Sequence, residues 1–157
     1  MPANISSKIS LAGEQEYKKA ISELNTALKT MGSEMKLVSE RYAENSGSVE
    51  ALAAKGDVLN RQIDAQKAKV ASMQEALKKS AETYGESDTR TQKWQQSLNS
   101  AEADLIKMER SLRDNNSQLE AAQQATDDYS GALAKMDEAT QQTGEQSATL
   151  GQGSQME

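Results

Sequence analysis

The sequence contains no cysteine, no histidine and no phenylalanine, and its single proline stands at position 2. Without cysteine there are no disulfides and no thiol chemistry, and without histidine the commonest general base and metal ligand is missing. Carboxylates such as Glu34 and Asp104 are numerous, but their positions are those of a solvated helix face, where burial would not perturb them. We therefore expect no catalytic, cofactor-binding or metal-binding site, and a protein that is not an enzyme.

Aromatic residues make up only 3% of the 157 residues, and the mean hydropathy is −0.79. This is too little bulky apolar material for a conventional globular core. Charged residues reach 27%, which together with the abundance of Ala, Gln, Glu and Lys is typical of long helices. The composition predicts an all-α fold of long heptad-repeat helices, arranged as a coiled coil or an elongated helical bundle.

The net charge of −6 provides no basic field for a nucleic acid, and the lysines at 67, 69, 78 and 79 are interpreted as a solvated helix face. No stretch approaches the ~20 apolar residues that a membrane helix needs, and the N-terminus has no long apolar run. We expect a chain made soluble in the cytoplasm, with no membrane segment and no nucleic-acid partner.

Apolar residues recur at alternating spacings of four and three from Tyr17 to Met136. Of the 35 positions on this stripe 27 are apolar, and only Leu37, Val58 and Ile106 are large apolar residues that lie off it. This is the heptad pattern, which buries one narrow seam between helices and predicts self-association. The predicted seam consists of Ile21, Leu24, Leu28, Met31, Met35, Val38, Leu52, Leu59, Ile63, Val70, Met73, Leu77, Trp94, Leu98, Leu105, Met108, Leu112 and Leu119.

The partner arrangement is left open by the pattern. β-branched residues at heptad position a and Leu at position d favour a parallel dimer. The small residues that flank the seam, such as Ala76 and Ala81, fit a trimer or antiparallel folded-back helices at least as well. Trp94 fits a core plug better than an interaction anchor.

Seven seam positions are polar: Asn45, Gln66, Ser80, Ser87, Thr91, Asn115 and Thr126. They are interpreted as local defects in the seam, or, for the two asparagines, as devices that fix the register of the helices at a cost in stability.

Two stretches combine signals for the end and the start of a helix. In "AENSGSVEAL" (43–52), Gly47 or Ser48 is a candidate N-cap. In "YGESDTRTQKW" (84–94), Gly85 suits the end of a helix, and Thr89 with Gln92 makes a capping box. The sequence thus predicts helices over about 14–44, 48–84 and 88–136, preceded by an extended or strand-like arm over 1–13 and followed by a polar, disordered tail over 137–157.

The seam keeps its phase across both joints, which favours one continuous rod, whereas the capping residues favour turns. A helix over residues 17–136 would be about 180 Å long at ~1.5 Å per residue. A chain folded back at both joints would be a bundle about 60 Å long. The sequence does not decide between them.

The segments "LAGEQEYKKAI", "LNRQIDAQK" and "YGESDTRTQKWQQSLN" resemble recurring elements in the N-terminal region of tape measure proteins of long-tailed phages and prophages of Gram-positive bacteria. The resemblance covers about residues 5–120. It implies a virion structural protein that lies as helices inside the phage tail, supports assembly of tail-tube subunits and determines tail length. The expected partners are other copies, as a dimer or trimer, and tail-tube and tail-assembly proteins.

Tape measure proteins are far longer than 157 residues, so the chain is expected to be an N-terminal piece of one or a prophage remnant. Two other functions fit the same residues. One is a compact three-helix module that docks a tail-assembly chaperone or another protein, and the other is a generic cytoplasmic coiled-coil scaffold.

Overall fold

The computed structural model describes residues 13–156, and the side chains of residues 13–141. Three α-helices follow one another along the chain: α1 is Glu14–Arg41, α2 is Val49–Tyr84 and α3 is Thr89–Met156. All the regular structure of the described residues is helical, so the predicted all-α class is confirmed.

The predictions for the two ends of the chain can be compared with the structure to different extents. Apart from Gly13, the predicted N-terminal arm lies outside the described residues. The structure places residues 137–156 in α3, where the sequence predicts a disordered tail. Loss of the apolar period in this segment removes a packing face, but Gln, Glu, Ala and Met still favour helical backbone.

The first joint is a short turn over residues 42–48. Its last residue, Ser48, is the N-cap of α2, and its hydroxyl accepts a hydrogen bond from the Ala51 amide at 3.1 Å. Such a cap satisfies one of the amides that the first turn of a helix leaves unpaired. Of the two candidate caps in the sequence, Gly47 therefore lies in the turn and Ser48 starts the helix.

The second joint is tighter, and Gly85 ends α2 with φ 96° and ψ 156°. Backbone with this positive φ is accessible almost only to glycine, so the residue takes the chain out of the helix. Asp88 then starts α3, because its carboxylate accepts from the Arg90 amide at 2.8 Å and its carbonyl accepts from the Gln92 amide at 2.9 Å. The joint is a four-residue turn between two helices.

The capping box predicted at Thr89 and Gln92 is wrong. Thr89 is already the first helical residue, and the Gln92 side-chain amide donates to the Glu86 carbonyl at 2.9 Å instead of returning to the cap. Asp88 is the better cap because its ionised carboxylate accepts the Arg90 side chain as well as the Arg90 amide. These hydrogen bonds from Arg90 lower the pKa of the Asp88 carboxyl below its ordinary value of 3.8.

Residue pairs across the helices show that the chain folds back at both joints. Ser80 contacts Thr91 and Gln66 contacts Ala101, so positions on α3 rise as positions on α2 fall. On the other side, Arg61 of α2 pairs with Glu34 of α1. α2 thus lies antiparallel to both neighbours, and this excludes the continuous rod. The apolar stripe keeps its phase across each joint even though the seven residues concerned are not all helical.

One apolar cluster joins all three helices. Ile21 of α1, Val70 and Met73 of α2, and Leu98 and Ala101 of α3 are buried together. Three partly buried side chains pack against this cluster: Leu77, Trp94 and Leu105. The core therefore consists of heptad residues from one chain, although the composition has too few bulky apolar residues for a conventional globular core.

Gly85 and Gly47 offer a matched test of the second joint. In both glycines an added Cβ would meet no atom within 4 Å, but only Gly85 has a positive φ. We expect Gly85→Ala to lower the free energy of unfolding by about 1 to 3 kcal/mol, because alanine cannot adopt this backbone without strain. Gly47→Ala should raise it by up to about 1 kcal/mol, since alanine loses less conformational freedom on folding. Urea unfolding would measure both, and equal effects would contradict the assignment of strain to the turn.

Candidate helix-packing site

The structure brings the predicted seam together within one chain. None of its members is exposed: some are buried and the rest are partly buried. The buried members are Ile21, Leu52, Ile63, Val70, Met73 and Leu98. Off the stripe, Leu37 and Ile106 are each 56% exposed. The chain's own neighbouring helices thus cover the seam as far as Leu119.

α2 buries a wider face than the heptad stripe predicts. Ala51, Val58, Ala65 and Ala76 all lie off the stripe and are buried. α2 is the central helix, and two neighbours cover more of its circumference than one partner would. Small or β-branched residues recur at 51, 58 and 65, seven residues apart, and this second row is the signal in the sequence that could have identified the central helix.

Two buried amide side chains cross from one helix to the backbone of the other. Gln66 Nε2 donates to the Ala101 carbonyl at 2.8 Å, and Asn115 Nδ2 donates to the Leu52 carbonyl at 2.8 Å. Gln66 is 1% exposed. A slip of α3 along α2 would separate both buried amides from their acceptors, and a buried donor without a partner is costly.

A third polar contact lies near the turn. The hydroxyls of Ser80 and Thr91 are 2.8 Å apart, and both residues are buried. The sequence analysis interpreted Gln66, Ser80 and Thr91 as local defects of the seam, but their side chains are hydrogen-bonded in the interface. Asn115, a predicted register residue, is hydrogen-bonded there as well. Asn45, the other predicted register residue, is exposed in the first turn.

Gly56 provides the space that Asn115 occupies. A Cβ at Gly56 would lie 3.1 Å from Asn115 Nδ2, which is closer than such atoms normally approach. The bare backbone at this position therefore lets the amide reach the Leu52 carbonyl.

A double-mutant cycle tests this coupling. In the interior of a helix, Gly→Ala normally stabilises by about 0.5 to 1 kcal/mol. We expect this gain for Gly56→Ala in an Asn115→Ala background, and its cancellation or reversal in the wild-type chain, because the methyl group displaces the amide. Denaturant unfolding of the four variants should give a coupling energy of about 1 kcal/mol. An identical effect in both backgrounds would show that Asn115 does not depend on Gly56.

An ion pair links α1 to α2 at the surface. Arg61 Nη1 lies 2.6 Å from Glu34 Oε2, and Arg61 Nη2 lies 3.2 Å from Asp57 Oδ2. The hydrogen bond to Glu34 is the main reason that the pKa of Arg61 is raised above its ordinary value. Because the Arg61 side chain is 44% exposed, this pair orients α1 more than it stabilises the fold.

The second joint and the start of α1 lie close together. The Arg90 guanidinium stands over the Tyr84 ring, 3.4 Å from its centroid, and so closes the turn by a cation–π contact. Arg90 and Trp94 also line a cleft of about 390 Å³ with Glu14 and Lys18 of α1. Trp94 thus packs against the core cluster and also lines this cleft.

The cover over α3 ends where α2 begins. α3 has 68 residues and α2 has 36, and side chains from Gln123 to Gln141 are all exposed. The stripe nevertheless continues in this segment, where Tyr129 is 67%, Leu133 44% and Met136 64% exposed. We call Thr126, Tyr129, Leu133 and Met136 the uncovered α3 face.

Two further properties of the described residues bear on function. In that part of the chain, none of the helices combines the length and the apolar character that crossing a membrane requires. Nor do His, Cys, Asp or Glu side chains gather there in a group of three or more that could hold a metal ion. No family model, curated protein or solved structure matches the chain.

Proposed function

We propose that this protein is a structural component of a phage or prophage tail that works by helix association and not by catalysis. The observation that carries the association is the uncovered α3 face, a heptad stripe that continues past the end of its intramolecular partner. The phage setting rests on the resemblance of residues 5–120 to tape measure proteins. In this setting the protein acts in the virion, with tail-tube or tail-assembly proteins as partners.

The architecture favours a docking role over that of a simple ruler. Because both joints are turns, α1, α2 and α3 as far as Leu119 pack against one another, and we propose that they form an elongated three-helix bundle with an antiparallel coiled coil of α2 and α3. A ruler would use the whole chain length, whereas this bundle shortens the chain. The bundle instead supports one end of α3 and presents the other end to a partner.

The fold leaves little of the seam for other interactions. A homo-oligomer built through the complete seam would need the bundle to open, because its members up to Leu119 are already packed within the chain. Association through the uncovered α3 face needs no opening. Three large apolar residues are exposed together on this helical stripe, whereas most protein surfaces expose such residues singly.

Co-expression with the tail-tube protein and the assembly chaperone of the same phage or prophage would test this function. We expect co-purification with the wild-type chain and its loss in the Tyr129→Glu/Leu133→Glu variant. The matched control is Ile106→Glu, which changes an equally exposed apolar residue of the same helix outside the stripe and should bind normally. Retention of binding in the double variant, or absence of binding in the wild type, would contradict the proposal.

A further inference from the structure

We infer that the partner of the uncovered α3 face is a basic amphipathic helix of another protein, whose apolar residues cover the face and whose lysines or arginines lie along one side of it. The inference rests on the proposed association through this face, and it adds the chemistry of the partner. Three features support it: the division of charge between the bundle and the rest of α3, the side of α3 on which the carboxylates lie, and a cleft at the start of α2.

The net charge of the chain is confined to one part of it. Residues 1–119 contain seventeen acidic and seventeen basic residues, whereas residues 120–157 contain seven acidic residues and a single basic one, Lys135. The part of the chain that forms the bundle is thus formally neutral, and the whole net charge of −6 belongs to the residues beyond Leu119. Such a charge attracts basic protein segments and repels nucleic acids, anionic membrane surfaces and a second acidic segment of the same kind.

The carboxylates beyond Leu119 are distributed unequally about the apolar stripe. By heptad position, one side of the stripe carries three of them and no cation. We call these three residues the acidic edge: Glu120, Asp127 and Asp137. The other side carries alanines next to the stripe, and beyond them Asp128 and Lys135, whose charges have opposite signs. A partner helix therefore meets negative charge along one side of the face only.

The acidic edge has no cationic partner within the chain. Among the residues whose side chains the structure describes, no lysine or arginine forms an ion pair with the acidic edge. On the opposite side, the Asp128 carboxylate accepts a hydrogen bond from the Gln124 side chain at 3.0 Å. Because the acidic edge is exposed, each ion pair with a partner would add little affinity. The apolar face then contributes most of the affinity, and the edge selects a basic partner.

A cleft at the start of α2 marks one end of this surface. It has a volume of about 570 Å³ and lies between residues 47–50 and 122–127. Val49 and Ala122 give the cleft apolar walls, and Glu50 and Asp127 add two carboxylates. A lysine or arginine of the partner suits this combination, because its alkyl chain packs on apolar atoms while its charged end stays near the carboxylates. From the cleft the partner helix would extend along α3 to Met136, about 15 Å away at ~1.5 Å per residue.

The first measurement compares two synthetic helical peptides of about three heptads, both with leucine at positions a and d. One peptide carries lysine beside the leucines and the other carries glutamate. Binding of each labelled peptide to the purified full chain is followed by fluorescence anisotropy. We expect the lysine peptide to bind about tenfold more tightly or better at low salt, and this preference to shrink at high salt. Equal affinities of the two peptides would overturn the inference.

Asp127→Asn and Asp128→Asn form a matched pair for the position of the charge. Each removes one exposed carboxylate, and the two residues are neighbours on opposite sides of the stripe. We expect Asp127→Asn to weaken binding of the lysine peptide about two- to fivefold, the range of an exposed ion pair, and Asp128→Asn to have a clearly smaller effect. Glu50→Gln should act like Asp127→Asn, since both carboxylates line the cleft. Equal effects of the two aspartate variants would contradict the acidic edge.

Leu133→Ser tests whether the lysine peptide lies on the face and does not merely collect near an acidic helix. The variant keeps every charge but removes a large apolar residue, so binding should weaken about tenfold. Ile106→Ser is the control, because Ile106 is an exposed apolar residue of the same helix outside the stripe, and it should leave binding unchanged. Circular dichroism of both variants would verify that the chain is folded. Unchanged binding to Leu133→Ser would overturn the inference.

Light scattering of the chain alone tests whether a second copy occupies the face instead. We expect the mass to stay at that of one 17.0 kDa chain over micromolar concentrations, because two acidic segments repel each other. A dimer that Leu133→Ser dissociates would assign the face to a second copy and would overturn the inference.

The outcomes separate this inference from the proposed function. If a tail protein binds through the face but the chain does not distinguish the lysine peptide from the glutamate peptide, only the inference fails. If the lysine peptide binds through the face and the acidic edge but neither tail protein binds, the inference stands and the proposed function fails.

Discussion

Gln66→Glu is expected to lower the free energy of unfolding by about 3 to 5 kcal/mol at pH 7, the usual cost of an uncompensated buried charge. The substitution keeps the shape of the side chain but removes the donor that bonds the Ala101 carbonyl at 2.8 Å. A carboxylate at a site that is 1% exposed would face that carbonyl oxygen with almost no access to solvent. Thermal and urea unfolding at pH 7 would measure the loss.

The same variant should recover stability in acid. Burial and the carbonyl both favour the protonated carboxyl, so the pKa of the new group in the folded chain should rise above the ordinary value of about 4.3. The deficit is then largest above the folded pKa, shrinks as the pH falls from that value to about 4.3, and is constant below it. Each unit of pKa elevation corresponds to about 1.4 kcal/mol of recovered stability.

Gln74→Glu provides the control for this pH dependence. Gln74 lies on the same helix but is exposed, so its substitution should change stability little at any pH. Comparison of the two variants at each pH removes the effect of acid on the rest of the chain. If Gln66→Glu unfolds like Gln74→Glu, the interior position of the Gln66 amide between α2 and α3 is incorrect.

Leu98→Ala is expected to destabilise the chain by about 2 to 5 kcal/mol. Leu98 is 6% exposed and belongs to the cluster that includes Ile21 of α1 and Val70 of α2, so its removal leaves a cavity where three helices meet. Since single domains are stable by only about 5 to 15 kcal/mol, the variant could lose much of its folded population at 37 °C. Denaturant unfolding followed by circular dichroism would measure the change.

Ile106→Ala is the matched control for Leu98→Ala. Ile106 is a large apolar residue of the same helix, eight positions further along, but it is 56% exposed. We expect its truncation to change stability by less than about 0.5 kcal/mol. Similar losses in the two variants would mean that the heptad stripe does not define the buried face of α3.

The sequence predicted which faces of the helices would be buried, because a heptad period is a local property of the chain. Every apolar residue assigned to the seam is at least partly covered, and Leu37 and Ile106, which break the period, are exposed. Val58 breaks the period too, yet it is only 2% exposed. Its burial depends on α2 lying between two neighbours, which is a property of the tertiary arrangement.

The direction of the chain at the joints could not be deduced from periodicity. A stripe that keeps its phase from Tyr84 to Thr91 is compatible with a rod and with a turn, and the difference lies in the backbone of Gly85 and the cap at Asp88. The capping box proposed for Thr89 was wrong by one residue, because an aspartate that pairs with Arg90 is a stronger local acceptor than a threonine hydroxyl. Small errors of this kind are usual at helix ends.

The sequence also did not show how far the stripe of α3 would be covered by another helix. The stripe runs on to Met136 without any local sign that its cover ends near Leu119. That limit comes from the unequal lengths of α2 and α3, which become relevant only when the two helices are antiparallel. Consequently the sequence assigned the whole stripe to self-association, whereas the structure leaves only its last part uncovered.

Because α3 is longer than α2, the part of α3 beyond Leu119 forms in a particular way. The first turn of an isolated helix is costly, because several residues must be fixed for a single hydrogen bond. In α3 that step is completed inside the bundle, so residues beyond Leu119 only extend a helix that already exists. Their helicity should therefore disappear together with the bundle, and a peptide of residues 120–141 alone should be largely unstructured.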